Sequence, residues 1–239
     1  MDFIKIRDMI TFENLRKTYG GVPVLEVTGL TIEKGSCMGW VGNNGAGKTT
    51  LFSLLLDLIQ PSSGKVTING IEVSASEDWK NHTAAFIDES FLIGYLTPEE
   101  YFAFVAQLRQ SSPEATQALL DRFAPFFNES ILGQKKYIRD LSKGNQKKVG
   151  IAAAFLGNPD LIILDEPFAN LDPSTQIQLK KMIGQQQETH QTTFLISSHD
   201  LTHVTEICHR IALLENGKIV KDITTNPTTL KELEGYFTR

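Results

Sequence analysis

Residues 9–15 alternate between apolar and polar side chains, and residues 22–27 and 30–32 keep the same character. A period of two predicts strands, here an antiparallel layer at the start of the chain. Met38, Trp40 and Val41 then make a short buried strand, and Leu51, Leu54, Leu55 and Leu58 fall on one stripe of a helix. Residues 65–68 alternate again, and Asn69-Gly70 is a hairpin signal. Residues 83–87 form one more short strand.

The period then becomes helical. Thr97-Pro98-Glu99-Glu100 is a capping box with proline at the first helical position, and Ser112-Pro113-Glu114 opens a second helix the same way. Their apolar faces hold Phe102, Val105 and Leu108, then Leu119, Phe123 and Phe126. Ser142 caps a further helix running through Val149, Ile151, Ala154 and Phe155 and stopped by Gly157-Asn158-Pro159. Residues 161–164 are continuously apolar, as a central parallel strand must be. Asp172 and Pro173 cap the next helix, residues 193–197 form a strand, and Asn216-Gly217 joins the two halves of a last hairpin. A short helix is expected over 230–236.

The chain has 239 residues and a formal net charge of -5. That balance offers no electrostatic footprint for nucleic acid, and the pairs Lys135-Lys136 and Lys147-Lys148 read as solvated charges. Cys37 and Cys208 lie far apart in the sequence, lack metal-ligand spacing and read as two reduced, buried thiols of a cytosolic protein. No apolar run is long enough to cross a bilayer, since residues 51–59 are broken by Ser53 and Asp57. Residues 1–7 lack the apolar region of a signal peptide, and Met9 is a second candidate start.

The chemistry begins at Gly42-Asn43-Asn44-Gly45-Ala46-Gly47-Lys48-Thr49, which fits the phosphate-loop pattern G-x-x-x-x-G-K-[ST] at every specified position. Glycines let successive N–H groups turn toward phosphate oxygens, and the helix that follows points its positive end at the same anion. Lys48 suits the β- and γ-phosphates, and the Thr49 hydroxyl suits Mg²⁺. Adjacent carboxylates at Asp165-Glu166, ending a buried strand, call for a cation or water. The economical assignment gives Asp165 to Mg²⁺ and Glu166 to the water that attacks the γ-phosphate. His199 follows a strand expected beside residues 161–164 and becomes a candidate hydrogen-bond partner of that phosphate. Tyr19, on a turn upstream of the loop, is a candidate to stack on the base.

In this order the motifs resemble the nucleotide-binding subunits of ATP-binding-cassette (ABC) transporters, over nearly all of residues 9–222. The resemblance implies an α/β fold: a P-loop NTPase core with a mainly parallel central sheet, an N-terminal antiparallel β layer and an inserted α-helical subdomain. It divides the chain into a core of about 9–88 and 158–222, a helical part of about 89–157 and a tail of 223–239. It places Glu89 at the Q-loop position, near the metal, where the family has glutamine. It places the signature at Leu141-Ser142-Lys143-Gly144-Asn145, where the family reads L-S-G-G-Q, and the D-loop at Asp172. Thr50 joins the nucleotide-binding set beside Thr49, and Ser142, Gly144 and Asn145 would meet phosphate across a dimer.

The implied function is ATP binding and hydrolysis with Mg²⁺, driving a separate transmembrane permease subunit. The implied partners are that permease and a second copy or a paralogous ATPase subunit, with no nucleic acid. The implied location is the cytoplasmic face of the cell membrane. Lys143 resembles the branch that contains bacterial drug and antibiotic exporters. The alternatives are an importer subunit and a soluble cassette ATPase acting on nucleic acid or ribosomes.

Overall fold

The computed structural model describes residues 8–128 and 130–237; residues 1–7, on which the signal-peptide expectation falls, lie outside them. The first strand, β1 (Asp8–Tyr19), pairs antiparallel with β2 (Val22–Val27), β3 (Leu30–Glu33) and β5 (Ser63–Ile68). This is the antiparallel layer that the period-two pattern predicts. The hairpin from β5 into β6 (Ile71–Glu72) turns at Asn69 and Gly70, both at positive φ, as a tight two-residue turn requires.

The central strand is β4 (Cys37–Val41), all of it buried. On one side it runs parallel to β10 (Arg210–Glu215), which turns at Asn216-Gly217 into β11 (Lys218–Thr224). On the other side lie β9 (Thr193–Ser198), β8 (Leu161–Leu164) and β7 (Thr83–Phe86), parallel throughout. A single parallel bridge, Glu26 to Lys218, joins the antiparallel layer to this part, so one sheet runs β6-β5-β1-β2-β11-β10-β4-β9-β8-β7 with β3 on β1.

Alternation along the buried strands separates two cores. Met38, Trp40, Leu161, Ile163 and Leu195 face the antiparallel layer and α1 (Lys48–Leu55), where Leu51 and Phe52 are buried. Cys37, Val41, Ile162, Leu164, Phe194 and Ile196 face the helices on the opposite side. With both faces covered, an uninterrupted apolar strand such as residues 161–164 is what the fold needs.

Between β7 and β8 come α2 (Pro98–Leu108), α3 (Pro113–Phe127) and α4 (Lys143–Ala154). The Thr97/Glu100 capping box is present, and Ser112 caps α3 through the Ala115 N–H. These helices pack through aromatic rings: Phe123 meets Phe155 at 5.1 Å between centroids, and Phe155 meets Phe194 of β9 at 5.8 Å. Residue 150 of α4 must be glycine, because a Cβ there would stand 2.3 Å from the Phe86 ring of β7. The later helices are α5 (Pro173–His190), α6 (Leu201–Ile207) and α7 (Thr229–Phe237), the last where a short tail helix is expected.

Three readings of the sequence need correction. The helix after the phosphate loop stops at Leu55, and Asp57 at φ 54 turns the chain away, leaving Leu58 47% exposed instead of extending the stripe. Leu108, last in α2, is 66% exposed. Lys147 and Lys148 are not solvated: only 6% and 5% of their surface is exposed. Cys37 and Cys208 are free and buried as expected, and their sulfurs, remote in sequence, come to 3.4 Å because α6 returns the chain to the start of β4. Burial pushes the Cys208 thiol well above its ordinary pKa.

Candidate functional site

The parallel strands β4, β8 and β9 all end on one edge of the sheet, and the chemistry gathers there. β4 releases the chain at Val41. At Gly42 a Cβ would fall 2.3 Å from the Leu214 carbonyl oxygen, so only glycine lets the loop leave the strand this way. Gly47, at φ 109, is the N-cap of α1 and supplies no capping side chain. The first N–H groups of α1 therefore remain for a ligand, with the positive end of the helix dipole behind them.

Lys48 folds back over the loop, 7% exposed, and donates to the carbonyl oxygens of Gly42 (2.5 Å) and Asn43 (3.4 Å). The Thr49 hydroxyl donates to Asp165 Oδ2 at 2.8 Å. Asp165 leaves β8 beside β9, whose register pairs Leu164 with Ile196, so the Ser197 hydroxyl donates to the other carboxylate oxygen. Burial raises the Asp165 pKa; hydrogen bonds from Ser197 and Thr49 and the charge of Lys48 oppose the rise.

Glu166 holds a left-handed backbone, φ 46, uncommon for a residue with a side chain. Its N–H donates to the Ser197 hydroxyl at 2.8 Å. Its Oε2 lies 2.8 Å from His199 Nδ1, and its Oε1 lies 3.6 Å from Lys48 Nζ. The structure thus brings Lys48, Thr49, Asp165, Glu166 and His199 into one connected group. Lys48, Thr49, Asp165 and Glu166 line a cavity of about 340 Å³ with Tyr19, Val24 and the rest of residues 43–50, and His199 joins them through Glu166. Tyr19 ends β1, exposed at the rim, with the Lys17 ammonium 4.9 Å from its ring centre.

Other candidates stand apart from this cavity. Ser142 caps α4 through the Asn145 N–H, and the Asn145 side chain meets the Ser130 hydroxyl at 3.4 Å. Gly144 lies against the Asn170 carbonyl oxygen. Asp172 caps α5, and hydrogen bonds from Ser174 and Thr175 hold its carboxyl well below the usual carboxylate range. Glu89 begins a single 3-10 turn after β7 and lies 4.0 Å from the Lys147 ammonium.

Two participants escape a reading of the sequence. Ser197 orients both Asp165 and the Glu166 backbone; its only advance signal is a hydroxyl at the end of an apolar strand two residues before His199. Lys147 donates to the backbone of Glu166 and Ala169, and nothing local announces its burial.

The family model described as ABC transporter matches residues 25–169. The chain belongs to the ABC transporter family. Among its relatives, the methionine import ATP-binding protein MetN of Carboxydothermus hydrogenoformans is 31% identical over 92% of this chain and 68% of the relative. The choline transport ATP-binding protein OpuBA of Bacillus subtilis is 31% identical over 92% of this chain and 60% of its own length, so this chain spans roughly two thirds of such relatives. A solved ATP-binding subunit of an ABC transporter superposes with a TM-score of 0.83 at 28% identity, covering 95% of this chain and 93% of that one.

The fold is therefore that of an ABC ATPase domain, whose nucleotide is ATP and whose usual ion is Mg²⁺. The site fits both. A glycine-lined loop at a helix N-terminus suits phosphate. A threonine hydroxyl beside a buried carboxylate is a hard oxygen pair suited to Mg²⁺. Among the described residues no group of three or more His, Cys, Asp or Glu could hold a metal ion.

Proposed function

We propose that this ABC ATPase domain is the ATP-hydrolysing subunit of a transporter, working as a head-to-tail dimer on a separate transmembrane permease. The observation that carries the proposal is the split of the site. Lys48, Thr49, Asp165 and Glu166 meet at one cavity, with His199 bonded to Glu166, while Ser142, Gly144, Asn145 and Asp172 lie outside it. A second copy, or a paralogous ATPase subunit, supplies the missing half.

Within each copy Gly42, Asn43, Asn44, Gly45, Ala46, Gly47 and Thr50 shape the phosphate cradle, and Lys48 neutralises charge there. Thr49 and Asp165 would hold Mg²⁺, and Glu89, in the turn after β7, is the further carboxylate assigned toward it. When bound, Mg²⁺ offsets the negative charge of the phosphates. Glu166 accepts the proton of the attacking water, and His199 orients Glu166 and bonds the γ-phosphate. Preorganised donors of this kind are worth about 3 to 4 kcal/mol each to the transition state. Tyr19 stacks on the base. The working parts are the core of about 9–88 and 158–222, the helical part of 89–157 and the tail of 223–239.

No helix among the described residues is long and apolar enough to cross a membrane. In this reading the permease holds the subunit at the cytoplasmic face. A groove of about 310 Å³, lined by Leu56, Leu58, Trp79, Phe86, Phe91 and Tyr101 among others, supports such a partner. Phe91 there is exposed. Lys143 supports an exporter; the import names of the relatives support an importer as the second reading.

Affinity purification from membranes tests the partnership: a polytopic membrane protein should accompany the chain and raise its ATPase rate, whereas ribosome or DNA association would overturn it. Transport into or out of vesicles, with ATP supplied on the subunit's side, decides direction. For Tyr19→Ala, the KM for ATP should rise about tenfold, within the value of one stacked base. Competition by inorganic tripolyphosphate, which has no base, should be unchanged; equal loss of both would remove Tyr19 from base recognition.

A further inference from the structure

Lys147 lies in the first half of α4, yet its ammonium is buried and fully engaged with elements outside that helix. Its Nζ donates to the carbonyl oxygens of Glu166 (2.9 Å) and Ala169 (3.1 Å) in the loop after β8. It also lies 4.0 Å from Glu89 Oε1, in the turn after β7, and that carboxylate side chain is itself only 15% exposed. A buried ammonium is costly unless its donors are used and its charge is matched; here the loop after β8 accepts two hydrogen bonds and the turn after β7 supplies the opposite charge.

The carbonyl it holds belongs to the residue in the left-handed conformation. Such a backbone is strained for a residue with a side chain and persists only where surrounding groups impose it. The conformation aims the Glu166 side chain at His199 and Lys48, and the Ser197 hydroxyl secures the N–H on the other side of the same residue. Ser197 and Lys147 thus grip Glu166 from its two backbone ends.

We propose that Lys147 is a positioning residue for hydrolysis, fixing the Glu166 backbone so that its carboxylate faces the attacking water, with Glu89 as the counter-charge that lets Lys147 be buried. The proposal rests on the reading of Glu166 as the proton acceptor. It gives Glu89 a second task, in which its negative charge, the departure from the family's glutamine, answers the lysine.

Lys147→Met keeps the length of the side chain and removes its donors. It should lower kcat roughly 10- to 100-fold, the scale set by displacing a reacting group by about an ångström. The KM for ATP and the Kd measured by calorimetry should stay within about twofold, because the phosphate loop is untouched. Lys147→Arg, which retains donors, should recover part of the rate.

Since Lys147→Met strands the Glu89 charge, the double variant Glu89→Gln/Lys147→Met is compared with Glu89→Gln alone. A lower kcat in the double variant at equal ATP affinity supports the clamp. Equal kcat in the two, or ATP binding that falls in parallel with kcat, overturns it. Glu166→Gln assayed alongside separates the premises. Parent-like turnover in that variant overturns the reading beneath the proposal, whereas an inactive Glu166→Gln beside a double variant as fast as Glu89→Gln overturns the clamp alone.

Discussion

Glu166→Gln is expected to slow ATP turnover by about 10²- to 10⁴-fold, the range for loss of a general base, while leaving ATP binding intact. Glutamine has the same shape and can still accept from the His199 ring and N–H, which lie 2.8 and 3.3 Å from Oε2. It cannot take a proton from water. It also lacks the charge that faces Lys48 at 3.6 Å, so the phosphate-binding side of the site keeps its cation while the hydrolytic side stops. The variant should therefore accumulate as an ATP-bound dimer, measured by light scattering with and without ATP beside steady-state phosphate release. Turnover near the parent rate would falsify the assignment.

Lys48→Ala should abolish ATP binding at concentrations that saturate the parent. The ammonium lies over the loop, bonded to the Gly42 and Asn43 carbonyl oxygens. Its removal deletes the one cation among the cavity's lining residues, in a pocket that Asp165 and Glu166 also line. An anion would then meet two carboxylates with backbone N–H groups alone to oppose them. Calorimetric titration with ATP is the measurement, and an unchanged Kd would sink the phosphate-loop reading. The two variants are complementary: one separates binding from hydrolysis, the other removes both.

Much of this site could be read in advance because its parts are local. The loop of residues 42–49 carries its chemistry in adjacent residues, and Asp165-Glu166 and His199 each follow an apolar run that can only be a buried parallel strand. Once two such strands are neighbours, their ends must meet, and the β8–β9 register puts them together. Ser197 and Lys147 were not legible in that way. Ser197 matters because a specific register sets its hydroxyl against a residue 32 positions away. Lys147 sits in a helix rich in polar residues, and its burial depends on loops from β7 and β8 closing over it. The same limit applies to Cys37 and Cys208, whose contact spans 171 positions. Leu58 and Leu108 fail for the opposite reason: each completes an apolar stripe, but the helix has ended or the surface there is open.

The ring-to-ring path from Phe123 through Phe155 to Phe194 has a mechanical consequence. The inserted helices share their interior with one face of the sheet, and Phe126, Phe127 and Ile138 belong to the same continuous core as Ile162 and Ile196. Close-packed interiors compress little and pass displacement on. A push delivered to α2 or α3 from outside therefore has no soft cushion to absorb it before it reaches β8 and β9. The insert behaves less like a flap on a string than like the long arm of a bell crank, its fulcrum set in phenylalanine beneath the carboxylates.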